Sequence, residues 1–172
     1  MQGISSEKFN PDGTVTRGMI VSVLYRLEGS PAVDNKALFS DVSSDKYYSS
    51  AVTWASENGI ISGYSDGNFG PDDTITREQL ASVLYRYAKY KGYDTSSLAN
   101  KSSYSDSRKV SVYAETAVAW ANKAGIMSGT DRNLLRNSTD RPKDKVCVTG
   151  SNSFRKRENR TLSRGRERTP KT

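Results

Sequence analysis

Two arginines, Arg17 and Arg77, stand sixty residues apart in the same short context, each directly after a threonine. A threonine that opens a helix places the next residue in the first turn, where backbone N–H groups without helical partners favour an anion. A guanidinium added there can hold a carboxylate or phosphate through two parallel hydrogen bonds. The competing reading is an arginine in solvent or paired locally with Asp72 or Asp73, since most surface charges contribute little. Other chemistry is sparse. The chain has no histidine, which removes histidine acid–base work, Ser-His-Asp and Cys-His nucleophiles, and the commonest metal ligand. Its single cysteine, Cys147, allows neither an internal disulfide nor a cysteine-cluster zinc site. Asp66-Gly67-Asn68 does not continue into the ligand spacing of an EF-hand loop. No glycosidase-like carboxylate pair and no phosphate-binding glycine loop is present. These residues point to binding without catalysis, metal or cofactor.

The context of the arginines is an internal repeat. Phe9-Asn10-Pro11-Asp12-Gly13-Thr14-Val15-Thr16-Arg17 recurs as Phe69-Gly70-Pro71-Asp72-Asp73-Thr74-Ile75-Thr76-Arg77. A second pair matches Ala51-Val52-Thr53-Trp54-Ala55 and Gly59-Ile60-Ile61-Ser62-Gly63 to Ala117-Val118-Ala119-Trp120-Ala121 and Gly125-Ile126-Met127-Ser128-Gly129. The openers Phe39-Ser40-Asp41 and Tyr104-Ser105-Asp106 complete the unit. The organisation read from this is a partial repeat over 1–30, a complete one over 39–92, the front half of a third over 104–134, and a separate segment over 135–172.

Each unit reads as two helices around a turn-rich loop. Thr76 suits the N-cap, Gln79 completes a capping box, and Ile75 faces Leu80 as a hydrophobic staple. Leu80, Val83, Leu84, Tyr87 and Ala88 follow at helical spacing, and Gly92 supplies the stop. Thr16, Val15 and Ile20 repeat the cap and staple, although Met19 breaks the box. The unit's first helix carries Tyr48, Ala51, Val52 and Ala55 and ends near Gly59; its twin carries Tyr113, Ala117, Val118 and Ala121 and ends near Gly125. Trp54 and Trp120 on these helices read as core anchors ahead of sugar platforms. A helix pair of this length cannot bury its own apolar stripe, so neighbouring units must pack together.

Charge divides the chain in two. Residues 135–172 hold 12 Lys+Arg against 4 Asp+Glu, while residues 1–134 hold 14 against 15. The net charge of +7 therefore resides in the C-terminal segment. Its composition predicts disorder. One reading is a basic arm for nucleic acid or an anionic polymer. The preferred one is a frameshift: the repeat offset places a helix-opening motif near residue 140, and a one-nucleotide shift there permits Thr-Ala-Gln-Arg-Thr-Lys-Phe-Ala. No stretch is apolar enough to span a bilayer, and the chain opens without a signal-peptide pattern.

Phe39-Ser40-Asp41-Val42, the Ala-Val-x-Trp-Ala helix, the run from Gly59 to Phe69, and Thr76-Arg77-Glu78-Gln79 together resemble the S-layer homology repeat of bacterial cell-surface proteins. The resemblance spans about residues 9–134. It implies a mainly α fold, with tandem helix–loop–helix repeats around a central helical bundle. It also implies non-covalent anchoring to cell-wall polysaccharide, often a secondary polymer bearing pyruvate ketals, with an arginine gripping the acidic sugar in grooves between repeats. Carried over by position, that arginine is Arg77, with Thr76 and Glu78 beside it and Gly63, Tyr64, Asp66 and Gly67 in the loop. Thr16 and Arg17 match the same motif, but Gly18 and Met19 replace the usual small residue and glutamate, and the loop from Gly3 to Phe9 is short.

The function expected is thus a non-catalytic wall-anchoring module, extracellular and at the bacterial cell surface, part of a larger surface protein. Its partner would be a secondary cell-wall polysaccharide or peptidoglycan-associated polymer, with no membrane insertion. Nucleic-acid or anionic-polymer binding through the basic segment is the alternative, and a helical scaffold for protein–protein assembly is a third.

Overall fold

The computed structural model describes residues 13–34, 36–96, 104–129 and 133–135. The expectations for residues 1–12 and for the basic segment beyond 135 lie outside the described residues. The fold is mainly α, as the repeat pattern predicts. It comprises α1 (Arg17–Leu27), α2 (Ser49–Glu57), α3 (Arg77–Tyr90) and α4 (Glu115–Lys123), with short 3-10 turns at Ser107–Lys109 and Val112–Ala114. Among the described residues extended pairing is limited to one antiparallel bridge, Thr16 with Thr74.

The helix boundaries follow from local chemistry. The Thr76 side chain accepts from the Gln79 N–H, and the Gln79 side chain accepts from the Thr76 N–H, closing the capping box of α3. Thr16 caps α1 by accepting from the Met19 N–H alone, since methionine cannot return the bond. All four helices stop the same way. After α2, Gly59 turns left-handed at φ 65° and donates to Ser56 O, while Ile60 donates back to Ala55 O. That reversal satisfies two terminal carbonyls and drives Ile60 and Ile61 into the core.

The helices pack as α1 on α2 and α3 on α4. Two apolar clusters result, and α3 lies between them. Leu80, Val83 and Tyr87 face the first, with Val21, Leu24, Trp54, Ile60 and Phe69. Ala81 and Ala88 face the second, with Trp120, Ile126, Met127 and Leu135. The small alanines on that face let α4 approach closely. Leu135, which charge alone assigns to the head of the basic segment, is 1% exposed and belongs with this core. Burial of such side chains contributes roughly 1.5–3 kcal/mol each, which an isolated helix pair could not collect. No helix among the described residues is long and apolar enough to cross a membrane.

Candidate functional site

The strand-like stretch before α1 pairs with its counterpart before α3. Ile75 N–H donates to Val15 O, Arg17 N–H to Asp73 O, and Gly18 N–H to Pro71 O. These bonds bring the two helix starts together and use up first-turn N–H groups of α1. At this helix start the N–H groups of Arg17 and Gly18 already have backbone acceptors. Gly18 has a steric reason as well: a Cβ there would come within 2.9 Å of Pro71 O.

Arg17 extends from this junction into the loop of the next unit. Its Nε donates to Phe69 O at 2.8 Å and its Nη2 to Ser62 O at 3.1 Å. The guanidinium carbon lies 4.6 Å from the Tyr64 ring centroid and 4.7 Å from that of Phe69. Arg17 is 8% exposed, so it is neither solvated nor paired with Asp73 through its side chain. Among the described residues the ion pairs are Lys46–Asp45 and Lys91–Glu28, and Arg17 belongs to neither. Its partner among the described residues is the loop from Ser62 to Phe69.

The loop is held rigidly to receive it. Asp41 accepts from Phe69 N–H at 2.8 Å and from Gly70 N–H at 2.7 Å. Asp66 accepts from the Asn68 N–H and side-chain amide, which holds its carboxyl below the usual range. Tyr64 donates its hydroxyl to Asp73, and burial raises its pKa despite the opposing charge of Arg17. Gly63 sits where a Cβ would lie 2.5 Å from the Phe39 ring.

A cavity of about 360 Å³ opens against this loop. Val21, Ile61, Phe69, Ile75 and Val83 supply its apolar surface; Arg17, Ser62, Tyr64, Gln79, Arg86 and Tyr113 supply its polar groups. All three units contribute. Tyr113 arrives from the turn before α4, and its hydroxyl donates to the buried Glu78 carboxylate at 3.1 Å. Ser111 donates to the same carboxylate through its N–H and Oγ, both at 2.9 Å. Burial, with the charge of Glu78 and that hydrogen bond, pushes the Tyr113 hydroxyl up to about 12. Arg86 reaches Ser62 Oγ at 3.3 Å.

The sequence-selected residues are thus divided between places. Arg17, Gly63 and Tyr64 share the cavity. Thr16 and Thr76 are helix caps, Asp66 and Gly67 form the turn behind Tyr64, and Glu78 supports Tyr113. Arg77 lies at the equivalent seam with the third unit, 8% exposed, its Nη2 donating to Ser128 O at 2.5 Å. Its buried Nε has no hydrogen-bond partner among the described residues. Both tryptophans are core: Trp54 packs on Tyr25 and Tyr90, and Trp120 on Tyr85. Sequence reasoning missed Asp41, Arg86 and Tyr113 as parts of the site. The first two left a signal, since Asp41 recurs as Asp106 and Arg86 as Arg26.

An arginine of one unit locked into the glycine-tyrosine loop of the next gives the repeat motif its structural meaning. The S-layer homology domain profile matches residues 38–81 and 103–136. These segments belong to the S-layer homology family. The chain is similar to an exoglucanase, XynX, of Acetivibrio thermocellus, at 32% identity over 78% of this chain and 12% of that protein. It is 27% identical to a surface-layer 125 kDa protein of Lysinibacillus sphaericus, over 77% of this chain and 11% of that one. A cellulosome-anchoring protein of Acetivibrio thermocellus is 27% identical over 54% of this chain and 22% of its own length. The chain therefore spans only a small part of these relatives. The similarity thus extends to proteins whose names describe an exoglucanase, a surface-layer protein and an anchoring protein alike.

Proposed function

We propose that these S-layer homology repeats form a non-catalytic anchoring module that binds acidic, pyruvylated secondary cell-wall polysaccharide at the cell surface. The observation that carries this reading is the Arg17 cavity, where a buried guanidinium adjoins an apolar floor of Val21, Ile61 and Phe69. A pyruvate ketal presents a carboxylate and a methyl group on one carbon. The cavity offers a cation for the first and apolar surface for the second, with Tyr64, Gln79 and Tyr113 available to sugar hydroxyls. The relatives' names support a surface role, and the family resemblance supports the polymer. Arg77, with Thr76 and Glu78 beside it, is proposed to serve the second seam in the same way. The module would hold whatever domains accompany it against the wall without performing chemistry itself.

Sedimentation with purified Gram-positive cell walls tests this. The protein should co-sediment with walls whose acidic polymer is intact and remain in the supernatant once the ketals are removed by mild acid. Equal sedimentation with both preparations would overturn the assignment to an acidic sugar.

A further inference from the structure

The cavity holds two arginines, and they are in very different circumstances. Arg17 is almost wholly buried, donates to two backbone carbonyls, and is flanked by two aromatic rings. Two of its five N–H donors are committed to holding the loop. Arg86 is half-buried on the third turn of α3 and makes one long contact, 3.3 Å to Ser62 Oγ. The two guanidinium groups meet opposite ends of one residue, Arg17 at the Ser62 carbonyl and Arg86 at its hydroxyl.

Among the described residues no aspartate or glutamate lines the cavity, and no carboxylate forms an ion pair with either arginine. Two cations therefore share a space of about 360 Å³ with no carboxylate in its described lining; Glu78 and Asp73 stand one step back, accepting from the hydroxyls of Tyr113 and Tyr64. Like charges facing a partly desolvated space disfavour one another, and an anion placed between them relieves that repulsion and gains two attractions. Arg86 is the partner able to move. Its contact to a neutral hydroxyl is weak, and exchanging it for a carboxylate yields a charge-assisted, forked pair.

We infer that Arg86 is the groove's specificity-determining residue. It swings from Ser62 Oγ onto the ligand's carboxylate, while Arg17 holds the loop and supplies the fixed positive charge beside it. This rests on the wall-anchoring reading for its natural ligand, but the anion site itself does not. The ligand class is a monocarboxylate on a sugar ring, with an apolar substituent adjacent to the charge. A neutral sugar of the same shape would leave both guanidinium groups without a direct carboxylate partner.

The test uses the full chain and a methyl hexoside carrying a 4,6-pyruvate ketal, beside its uncharged methyl ester. Arg86→Ala and Arg86→Gln should weaken ketal and wall binding roughly tenfold to a hundredfold, with thermal midpoints unchanged. Arg86→Lys should recover only part of the loss, because an ammonium lacks the planar fork. The wild-type preference for acid over ester should shrink in Arg86→Ala. Wild-type binding to walls that Arg86→Ala matches would overturn the inference and leave the anchoring reading standing. Should the wild type bind neither wall nor ketal, the anchoring reading falls and the side-chain Nε–Hε resonance of Arg86 decides the rest. A shift of that resonance on titration with free pyruvate, smaller in protein saturated with chloride, supports the anion site; an unmoved resonance overturns it.

Discussion

The guanidinium of Arg17 donates to the backbone carbonyl of Phe69, 52 residues later, while lying against that residue's ring. One side chain thereby fastens the start of one repeat to the loop of the next. The same contact serves as an inter-unit strut and as one wall of the cavity. Arg17→Ala should consequently lower stability by about 3 kcal/mol, because a charged hydrogen bond, a second carbonyl contact and two ring contacts are lost together. Wall binding should fall with it, and a urea titration beside wall sedimentation would separate the two effects. Arg17→Lys should keep part of the stability, since an ammonium can reach one carbonyl but cannot fork between two.

Arg77 should be the more tolerant of the pair. It makes one carbonyl bond, to Ser128, and carries a buried Nε without a partner, which offsets part of that gain. Arg77→Ala should lower the thermal midpoint less than Arg17→Ala does. Calorimetry of the two variants checks this, and an equal or greater loss for Arg77→Ala would count against the comparison of their contacts. Under the proposed function it should still weaken wall binding.

Asp41 should matter as much to the groove as residues that line it. Its carboxylate accepts two consecutive N–H groups, those of Phe69 and Gly70, and fixes the carbonyl that Arg17 reaches. Asp41→Ala leaves two backbone donors without their acceptor, a loss of about 2 kcal/mol or more. Asp41→Asn keeps one acceptor oxygen and should fall between that variant and the wild type. Hydrogen exchange at Phe69 and Gly70 reads the effect directly, with faster exchange expected in the order Ala, Asn, Asp.

The helices were legible because their determinants are local. Thr76 with Gln79, and Gly59, Gly92 and Gly125 at the helix ends, are contacts within a few residues, and spacing alone exposes them. The burial of both tryptophans was legible from the same periodicity. The seam was not. Arg17 pairs with a loop about fifty residues away, and nothing in its neighbourhood indicates which unit's loop it meets. Short-range reasoning therefore could not name the loop that Arg17 meets, nor foresee that the first N–H groups of its helix donate to the carbonyls of Asp73 and Pro71. Tyr113 was invisible as a groove residue for the same reason, since it enters the cavity from the third unit through Glu78. Repetition at Asp41 and Asp106 marked a structural constraint, but its partner N–H groups become identifiable only once the loop is folded.

The tie between the first and second units should show in the pH dependence of stability. Glu28, just past α1, accepts from the Tyr87 hydroxyl and from Lys91 Nζ at 3.0 Å. The Tyr87 bond, followed by Lys91, holds the Glu28 pKa below its ordinary value. A depressed carboxylate stabilises the fold above its unfolded pKa, roughly 4.3, and loses that contribution as pH falls through the lower folded value. Lys91 is raised by the same hydrogen bond, so its contribution is present below its ordinary value and lost only as pH rises through the higher folded one. Glu28→Gln should flatten the acid limb of a stability–pH curve while lowering the neutral plateau slightly. An acid limb identical to that of the wild type would show that other carboxylates set it.

The two loop glycines separate steric need from conformational need. Gly67 takes φ 83° with nothing within 4 Å of an added Cβ, so Gly67→Ala pays only the left-handed backbone penalty, about 1 kcal/mol. Gly63 has no such φ, but a Cβ there would meet the Phe39 ring at 2.5 Å and Asn68 O at 2.7 Å. The ring could yield; the carbonyl belongs to the backbone that closes the loop through its bond from Tyr64 N–H. Gly63→Ala must therefore displace the chain carrying Tyr64, and with it the ring against which Arg17 lies. It should lower stability by about 1–3 kcal/mol and impair wall binding beyond what the lost stability explains. Gly67→Ala should bind nearly as well as the wild type at a temperature where both are folded. Sedimentation of the two variants at that temperature decides between these demands: similar losses would mean that loop flexibility governs the groove, and a loss confined to Gly63→Ala would mean that the position of Tyr64 does.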